Sequence, residues 1–181
     1  FRKGGKIETG TDNLPVMKLV VDGYNLLFHL GFSGEENLEE AREELLAMLS
    51  EYGKLKKLSI LVVFDGKRGA PGGAVAKKWV KAVFTSPPES ADDRIARLAK
   101  SLREGAYVVT SDAGLIARIK PFNSTYARVD EFAGKVEQAH YYSTKGVRED
   151  EEEARERKPT KGVSRRLSKK KRRQKRDLDK L

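Results

Sequence analysis

Three stretches of this sequence consist of an apolar run followed, at once or after two polar residues, by an aspartate. They read Lys-Leu-Val-Val-Asp at 18–22, Leu-Val-Val-Phe-Asp at 61–65 and Tyr-Val-Val-Thr-Ser-Asp at 107–112. Short apolar runs of this kind are typical of buried strands. Because parallel strands bring their carboxyl ends to one edge of a sheet, Asp22, Asp65 and Asp112 are predicted to lie together at that edge.

Two more carboxylates, Asp92 and Asp93, fall in the first turn of a helix that Ser90 is predicted to cap. Clustered carboxylates repel one another and raise each other's pKa, and a hard divalent cation relieves that repulsion. Oxygen ligands of this kind suit Mg²⁺ or Mn²⁺, which can activate water against a phosphodiester. The plainer interpretation is that each aspartate caps a helix or makes a turn. Their shared placement favours a site.

Other aspartate chemistries fit the sequence less well. A dehalogenase-type phosphatase needs Asp-x-Asp after its first strand, but the residue two positions after Asp22 is Tyr24. A receiver domain needs an acidic pair there, which is also missing. No Gly-x-Gly-x-x-Gly or Walker pattern is present, so nucleotide-cofactor binding is disfavoured. The chain has no cysteine, which excludes disulfides and cysteine-based zinc sites.

Strands and helices alternate along the sequence, which predicts a three-layer α/β fold with a mainly parallel central sheet. Strands are predicted over Val16–Val21, Leu58–Phe64, Lys81–Thr85 as an edge strand, Ala106–Thr110 and Thr125–Asp130. Helices are predicted from Gly23, over Glu36–Tyr52 with Gly53 as the stop, over Ala91–Arg103, from Ser111 to before Pro121, and over Glu131–Ala139. The stretch after Asp65, rich in glycine, is predicted to be a loop.

The positive charge is concentrated near the end of the chain. The 181 residues carry a formal net charge of +10, and residues 157–181 alone contain 13 Lys and Arg against 2 Asp and Glu. Such a tail favours a polyanion partner, most simply nucleic acid, over a merely solvating role. No stretch approaches the roughly 18 apolar residues of a membrane span. Because the first methionine is Met17, the chain is expected to be a fragment or to have lost an N-terminal segment.

Four ordered blocks give the sequence a specific resemblance. Asp-Gly-Tyr-Asn at 22–25, Phe-Asp-Gly at 64–66, Ala-Asp-Asp-Arg-Ile at 91–95 and Thr-Ser-Asp at 110–112 resemble the signature blocks of the YacP-like NYN ribonucleases, which belong to the PIN-like nuclease group. The resemblance covers roughly Met17 to Ala139. It implies a compact PIN-like α/β domain that cleaves RNA with Mg²⁺ or Mn²⁺, acting on mRNA or rRNA. Some relatives act on translating ribosomes.

The resemblance also implies which residues form the site. The catalytic set would be Asp22, Asn25, Asp65, Asp92 and Asp112. The four aspartates of this set would hold the metal, and the asparagine would orient water or phosphate. Adjacent helical positions diverge by about 100°, so Asp93 is a weaker candidate than Asp92. Relatives often carry a polar residue about four positions after Thr-Ser-Asp, where this sequence reads Ala-Gly-Leu-Ile-Ala-Arg.

Basic residues near the site and in the tail are predicted to bind RNA. They are Lys67, Arg68, Lys77, Lys78, Arg94, Arg165, Arg166, Lys169, Lys170, Lys171, Arg172 and Arg173. Trp79 lies among the first group and is expected in the core rather than as a base-stacking platform. The predicted division is an N-terminal extension at 1–15, a nuclease domain at 16–140 and a charged extension at 141–181.

These observations predict that the protein is a metal-dependent endoribonuclease. Its predicted partners are RNA and also the ribosome, and no contact with a membrane is expected. The expected compartment is the cytoplasm of a bacterium or an organelle interior such as the chloroplast stroma. Two alternatives stay open at this point. One is an RNA- or ribosome-binding factor that keeps the fold without turnover, and the other is a DNA-directed nuclease of the same chemistry.

Overall fold

The computed structural model describes residues 18–32, 37–66 and 73–145. The predicted N-terminal extension, the basic tail residues from Arg165 to Arg173, and Lys67 with Arg68 lie outside these ranges. None of the described helices is long and apolar enough to cross a membrane.

A six-stranded sheet forms the middle of the described structure. Its strands are β1 Lys18–Asp22, β2 Ile60–Phe64, β3 Gly73–Ala76, β4 Val80–Phe84, β5 Ala106–Val109 and β6 Thr125–Ala127. They lie in the order β3-β4-β2-β1-β5-β6, and every neighbouring pair except β3 with β4 is parallel. The predicted mainly parallel sheet is confirmed.

Five helices cover the two faces of this sheet. They are α1 Gly23–His29, α2 Leu38–Lys56, α3 Ala91–Leu102, α4 Ala113–Ile119 and α5 Val129–Lys145. Because successive strand residues face opposite sides, Leu19 and Val21 pack with α1, α2 and α5, whereas Val20 packs with α3 and α4. This arrangement is the predicted three-layer α/β fold.

The strand order reverses at β1, which places the candidate site. The chain passes from β1 to β2 on one side and later to β5 on the other side. The crevice outside the carboxyl ends of the strands at such a reversal is where open α/β sheets bind ligands. β1 ends there at Asp22, and β5 ends just before Thr110.

The prediction that the strand near Lys81 lies at the edge is wrong. β4 lies between β2 and β3, and β3 was missed because its Gly-Ala-Val-Ala sequence has little strand propensity. A three-residue turn, Lys77 to Trp79, joins β3 to β4. In it Lys77 N–H donates to Val80 O at 2.8 Å, and Val80 N–H donates to Lys77 O at 3.2 Å.

Two predicted helix ends also differ from the structure. α2 continues through Gly53 to Lys56, and Lys57 adopts the left-handed conformation (φ 54°) that was expected of the glycine. Gly53 meets a packing need instead, because a Cβ there would lie 2.8 Å from Leu58 O. α5 begins at Val129, where a strand was predicted, and runs without a break past position 140.

A pair of alanine substitutions tests the role of Gly53. Gly134→Ala, in α5, meets no atom within 4 Å and should raise the free energy of unfolding by about 0.5–1 kcal/mol. Gly53→Ala makes the same gain in helix propensity but forces a backbone contact, so it should lower that free energy by about 1–3 kcal/mol. Urea unfolding of both variants measures the difference. Equal stabilisation by the two substitutions would show that Gly53 has no packing role.

Candidate active site

Asp22 lies at the end of the central strand and also caps the helix that follows. Its Oδ1 accepts a hydrogen bond from Asn25 N–H at 3.3 Å, and its Oδ2 accepts one from the Thr110 hydroxyl at 3.3 Å. The Asn25 side chain hydrogen-bonds to the same carboxylate. Asp22 is therefore held from two elements, and Asn25 lies beside it as predicted.

Thr110 joins the ends of two strands. Its hydroxyl is fully buried, donates to Asp22, and accepts from Asp112 N–H at 3.1 Å. Thr110 belongs to the Thr-Ser-Asp block of the resemblance but was not among the predicted site residues. The available signal was a hydroxyl residue between a buried strand and a helix-capping aspartate, two positions before that aspartate. We classify Thr110 as a positioning residue, since it acts on the carboxylates around it.

Asp112 and Asp65 lie on either side of Asp22 and Thr110. Asp112 caps α4, where its Oδ1 accepts from Leu115 N–H at 2.6 Å. Asp65 follows β2 directly and is half-buried. The backbone after Asp65 is fixed because Gly66 N–H donates to Thr85 Oγ1 at 3.3 Å. A Cβ at Gly66 would lie 1.8 Å from Thr85 O, so only glycine fits beside this aspartate.

The neighbours Asp92 and Asp93 have different surroundings in the first turn of α3. Asp93 forms a capping box with Ser90, confirming the predicted cap, and its Oδ1 accepts from Arg118 Nη2 at 2.7 Å. The hydrogen bond from Arg118 has the largest effect, and together with those from Ser90 it lowers the pKa of Asp93 to about 2. Asp92 is half-buried, and its pKa is raised by burial and then by the charge of Asp112.

The aspartates at this edge act on one another electrostatically. The pKa of Asp22 is raised from 3.8 to about 6, mainly by burial and further by the charge of Asp92. The hydrogen bond from Asn25 N–H acts in the opposite direction and lowers it. The charge of Asp65 also contributes to the raised pKa of Asp92. Asp92 is thus coupled to the other three predicted aspartates, and the charges of Arg118 and Asp93 also act on it, the first lowering and the second raising its pKa. Asp93 is paired directly with Arg118, a cation that the sequence did not single out.

The plainer interpretation of the aspartates is confirmed for two of them, and the metal site stays a prediction. Asp22 and Asp112 cap helices, as the plainer interpretation expected, and they also take part in a coupled carboxylate cluster. Capping uses one carboxylate oxygen in each case. A helix cap at the carboxyl end of a strand therefore does not argue against a site.

The aspartate carboxylates at this edge suit a divalent cation that keeps several water ligands better than one bound by protein groups alone. In the three described ranges, no group of three or more His, Cys, Asp or Glu side chains is arranged to hold a metal ion. Mg²⁺ commonly binds proteins through one or two carboxylates and keeps several waters. The raised pKa values of Asp22 and Asp92 mark negative charge that such an ion would stabilise.

The described residues among those predicted to bind RNA lie at two different edges of the sheet. Arg94 lies on α3 near the carboxyl edge, with its Nη1 3.8 Å from Glu89 Oε2. Lys77, Lys78 and Trp79 precede β4, and Val80 pairs with Ile60 at the amino end of β2. They therefore lie at the edge opposite the aspartates. Their expected closeness to the aspartates is wrong, and their RNA binding stays a prediction.

Comparison with known proteins supports the resemblance. The model of the YacP-like NYN domain family matches residues 19–180, so the match continues through the basic tail, beyond the limit near Ala139 set by the motifs. The "Uncharacterized protein YacP" of Bacillus subtilis (strain 168) is 34% identical over 102 residues, which cover 52% of this chain and 59% of that protein. The match thus spans less than two thirds of that relative.

Two solved structures share the fold. A crystal structure of a mutant of Rae1 (YacP) from Bacillus subtilis superposes with a TM-score of 0.61 and 28% identity, covering 75% of this chain and 84% of that one. A second crystal structure of Rae1 (YacP) gives a TM-score of 0.60 and 27% identity, covering 76% and 83%. The mixed α/β fold described above is therefore the fold of these proteins.

Replacing Thr110 tests its positioning role. Thr110→Val removes the hydroxyl that lowers the pKa of Asp22, so this pKa should rise above about 6. It also leaves Asp112 N–H without that acceptor, which should lower the free energy of unfolding by about 1–3 kcal/mol. Carboxyl-carbon NMR titration and urea unfolding measure the two effects. Thr110→Ser keeps the hydroxyl and is the control; identical titration in the valine variant would rule out the role.

The buried charge of Asp22 should make the protein less stable as the pH rises. Its pKa is higher in the folded state (about 6) than the usual 3.8, so the folded state binds the proton more tightly. The stabilising contribution is present below pH 3.8 and is lost as the pH rises through about 6. Without divalent ions at pH 7.5, Asp22→Asn should therefore raise the free energy of unfolding by about 2–3 kcal/mol.

Urea unfolding at pH 7.5 and pH 4 measures this effect, and the gain should shrink at the lower pH. Asp93→Asn is the control with the opposite sign, because the folded state lowers the pKa of Asp93 and its charge stabilises the protein at pH 7.5. A lower stability of Asp22→Asn at pH 7.5 would contradict the assignment of a destabilising buried charge.

Proposed function

The chain belongs to the YacP-like NYN domain family, whose fold is nuclease-like, and on this premise we propose that it is a metal-dependent endoribonuclease that hydrolyses RNA phosphodiester bonds. One observation carries the proposal. At the reversal of strand order, Asp22 and Asp92 are both half-buried, the charge of Asp92 acts on Asp22, and both have raised pKa values.

The energetics of the edge support a binding role. Capping a helix requires no buried charge, since exposed Ser or Asp does so equally well. Burying a carboxylate next to another lowers the stability of the folded protein unless a cation offsets it. Charged groups with strongly shifted pKa values in a crevice are characteristic of functional sites. The cluster is therefore best understood as a site for a divalent cation and the phosphate it binds.

Asp22, Asp65, Asp92 and Asp112 would hold a hydrated Mg²⁺ or Mn²⁺ partly through its water molecules, because no three of these described carboxylates are arranged to bind one ion directly. When bound, the ion supplies activation of water and neutralisation of charge that builds on the phosphate. The protein's own residues orient the reacting groups. Thr110 and Asn25 fix the carboxylate of Asp22, and the amide of Asn25 is placed beside that carboxylate to bind water or a phosphate oxygen.

In-line attack of water at phosphorus would break the bond to the 3′ oxygen. The products would carry a 5′-phosphate and a 3′-hydroxyl. The proton of the attacking water would pass to solvent, and the departing 3′ oxygen would take a proton from solvent.

The proposed substrates are mRNA or rRNA, with the ribosome as a further partner. The basic tail supports this, because residues 157–181 carry 13 Lys and Arg against 2 Asp and Glu and lie almost wholly inside the family match. Such a tail binds phosphate backbones independently of base sequence. The proposed compartment is a bacterial cytoplasm or an organelle interior.

Two adjacent substitutions test the proposed chemistry. Asp92→Asn should lower Mn²⁺-dependent cleavage of RNA at least about 100-fold, because charge stabilisation by a bound metal is worth several kcal/mol. Asp93→Asn should leave cleavage within a few-fold of the original, since Asp93 is engaged with Ser90 and Arg118. Gel analysis of end-labelled RNA measures both, with circular dichroism as the check on folding.

Asp22→Asn and Asp65→Asn should match the loss seen with Asp92→Asn. Undiminished cleavage in these variants would exclude the proposed site. RNA binding without any cleavage by the original protein would support the non-catalytic RNA-binding factor, and preferential cleavage of single-stranded DNA would support the DNA-directed nuclease.

A further inference from the structure

A second charged surface lies at the opposite edge of the sheet. We call it the amino-edge surface and define it by Lys54, Lys57, Lys77, Lys78 and Trp79. The first two end α2, and the last three form the turn between β3 and β4. Because β4 is parallel to β2, this turn lies at the amino ends of the strands.

The two parts of this surface are joined by direct packing. Ile60 N–H donates to Trp79 O at 2.9 Å, which fixes the turn to the start of β2. A Cβ on Gly53 would lie 3.0 Å from Trp79 Cβ, so the end of α2 lies against the same turn. The amino-edge surface is therefore one contiguous feature built on rigid elements.

The lysines of this surface are exposed and carry uncompensated charge. In the part of the chain that the structure describes, none of the four forms an ion pair with a carboxylate. Lys78 Nζ lies 5.8 Å from the centre of the Trp79 ring, and Trp79 is half-buried. The sequence prediction that this tryptophan belongs to the core therefore holds only in part.

We propose that the amino-edge surface binds the phosphate backbone of RNA at a segment away from the point of cleavage. The identification of the polyanion as RNA rests on the proposed function. Lysine ammonium groups recognise phosphate as point charges without reading bases, and an aromatic ring beside them allows base stacking. The charge pattern supports this assignment, since the four exposed lysines of this surface have no carboxylate partner among the described residues, whereas the aspartates of the candidate site lie at the opposite edge.

The distance between the two edges separates their roles. A strand of five residues spans about 17 Å, so the aspartates and the lysines lie roughly that far apart. A short oligonucleotide held at the aspartates would not reach the lysines. The amino-edge surface should therefore raise affinity for long or structured RNA without changing the chemical step.

The chain offers a built-in reporter for this surface, because Trp79 is its single tryptophan. A structured RNA hairpin is titrated into the full chain without divalent ions, and the fluorescence of Trp79 is recorded. RNA at the amino-edge surface should quench or shift this fluorescence. Lys54→Gln combined with Lys77→Gln should weaken the response and lower the slope of log affinity against log salt by about 2.

The matched control removes the same charge elsewhere. Lys100→Gln combined with Lys120→Gln changes exposed lysines on α3 and after α4, on the other face of the sheet. These substitutions should leave both the response and the slope unchanged. Cleavage of a short single-stranded oligonucleotide by this control variant should also equal that of the original protein.

Three outcomes would overturn the proposal. RNA binding without any change at Trp79 would assign binding to other parts of the chain. Equal losses in the test and control variants would show a diffuse charge effect. A response to vesicles containing phosphatidylglycerol, with none to RNA, would assign the surface to a membrane. Since the titration contains no divalent ion, failure of the proposed nuclease activity would not alter its result.

Discussion

The hydroxyl of Thr110 connects the ends of β1 and β5, and the geometry of the carboxyl edge depends on this connection. It donates to Asp22 and accepts from the backbone of Asp112, so two aspartates from distant parts of the chain share one buried partner. The pairing of Val21 with Val109 sets the register that makes this contact possible. In a buried environment such hydrogen bonds are strong, and an unpaired group would be costly.

The packed helix layers on both faces of the sheet supply the stability that this arrangement of charges requires. Asp22 is half-buried and under the influence of another negative charge, which lowers stability near neutral pH. The apolar residues of β1 lie fully buried between helices on both faces, and this core offsets the cost. Protein families commonly accept lower stability at a site where charge is needed for function. A bound divalent cation would remove much of that cost.

Much of the carboxyl edge could be predicted from sequence because each signal was local. An apolar run followed by Asp marks a strand and its end, and Ser90 with Asp93 three residues later marks a capped helix. Thr110 was harder to predict, because its importance lies in a contact with a residue 88 positions away. Gly53 was misjudged because a glycine in a basic, polar stretch resembles a helix stop, and the neighbours that need its small size come later in the chain.

The misplacement of Lys77 and Lys78 had a single cause. They follow Asp65 closely in sequence, which suggested that they lie near it. The chain in fact descends the sheet as β3, turns at Lys78 and Trp79, and only then rises as β4. Because β3 was not predicted, the reversal of direction was lost, and with it the placement of the turn. Direction in a sheet depends on the number of strands crossed, so one missed strand moves a residue to the opposite edge.

The position of β3 at the outer side of the sheet has a consequence for self-association. An edge strand offers unpaired backbone groups to other chains, and short length with nearby lysines is a common protection against aggregation. β3 has four residues, exposes Val75, and leads into Lys77 and Lys78. Repulsion between these lysines on different molecules would keep edges apart. The Debye length falls to about 3 Å in 1 M salt, so high salt would screen this repulsion. The same conditions would therefore weaken RNA binding and favour edge-to-edge contact between protein molecules.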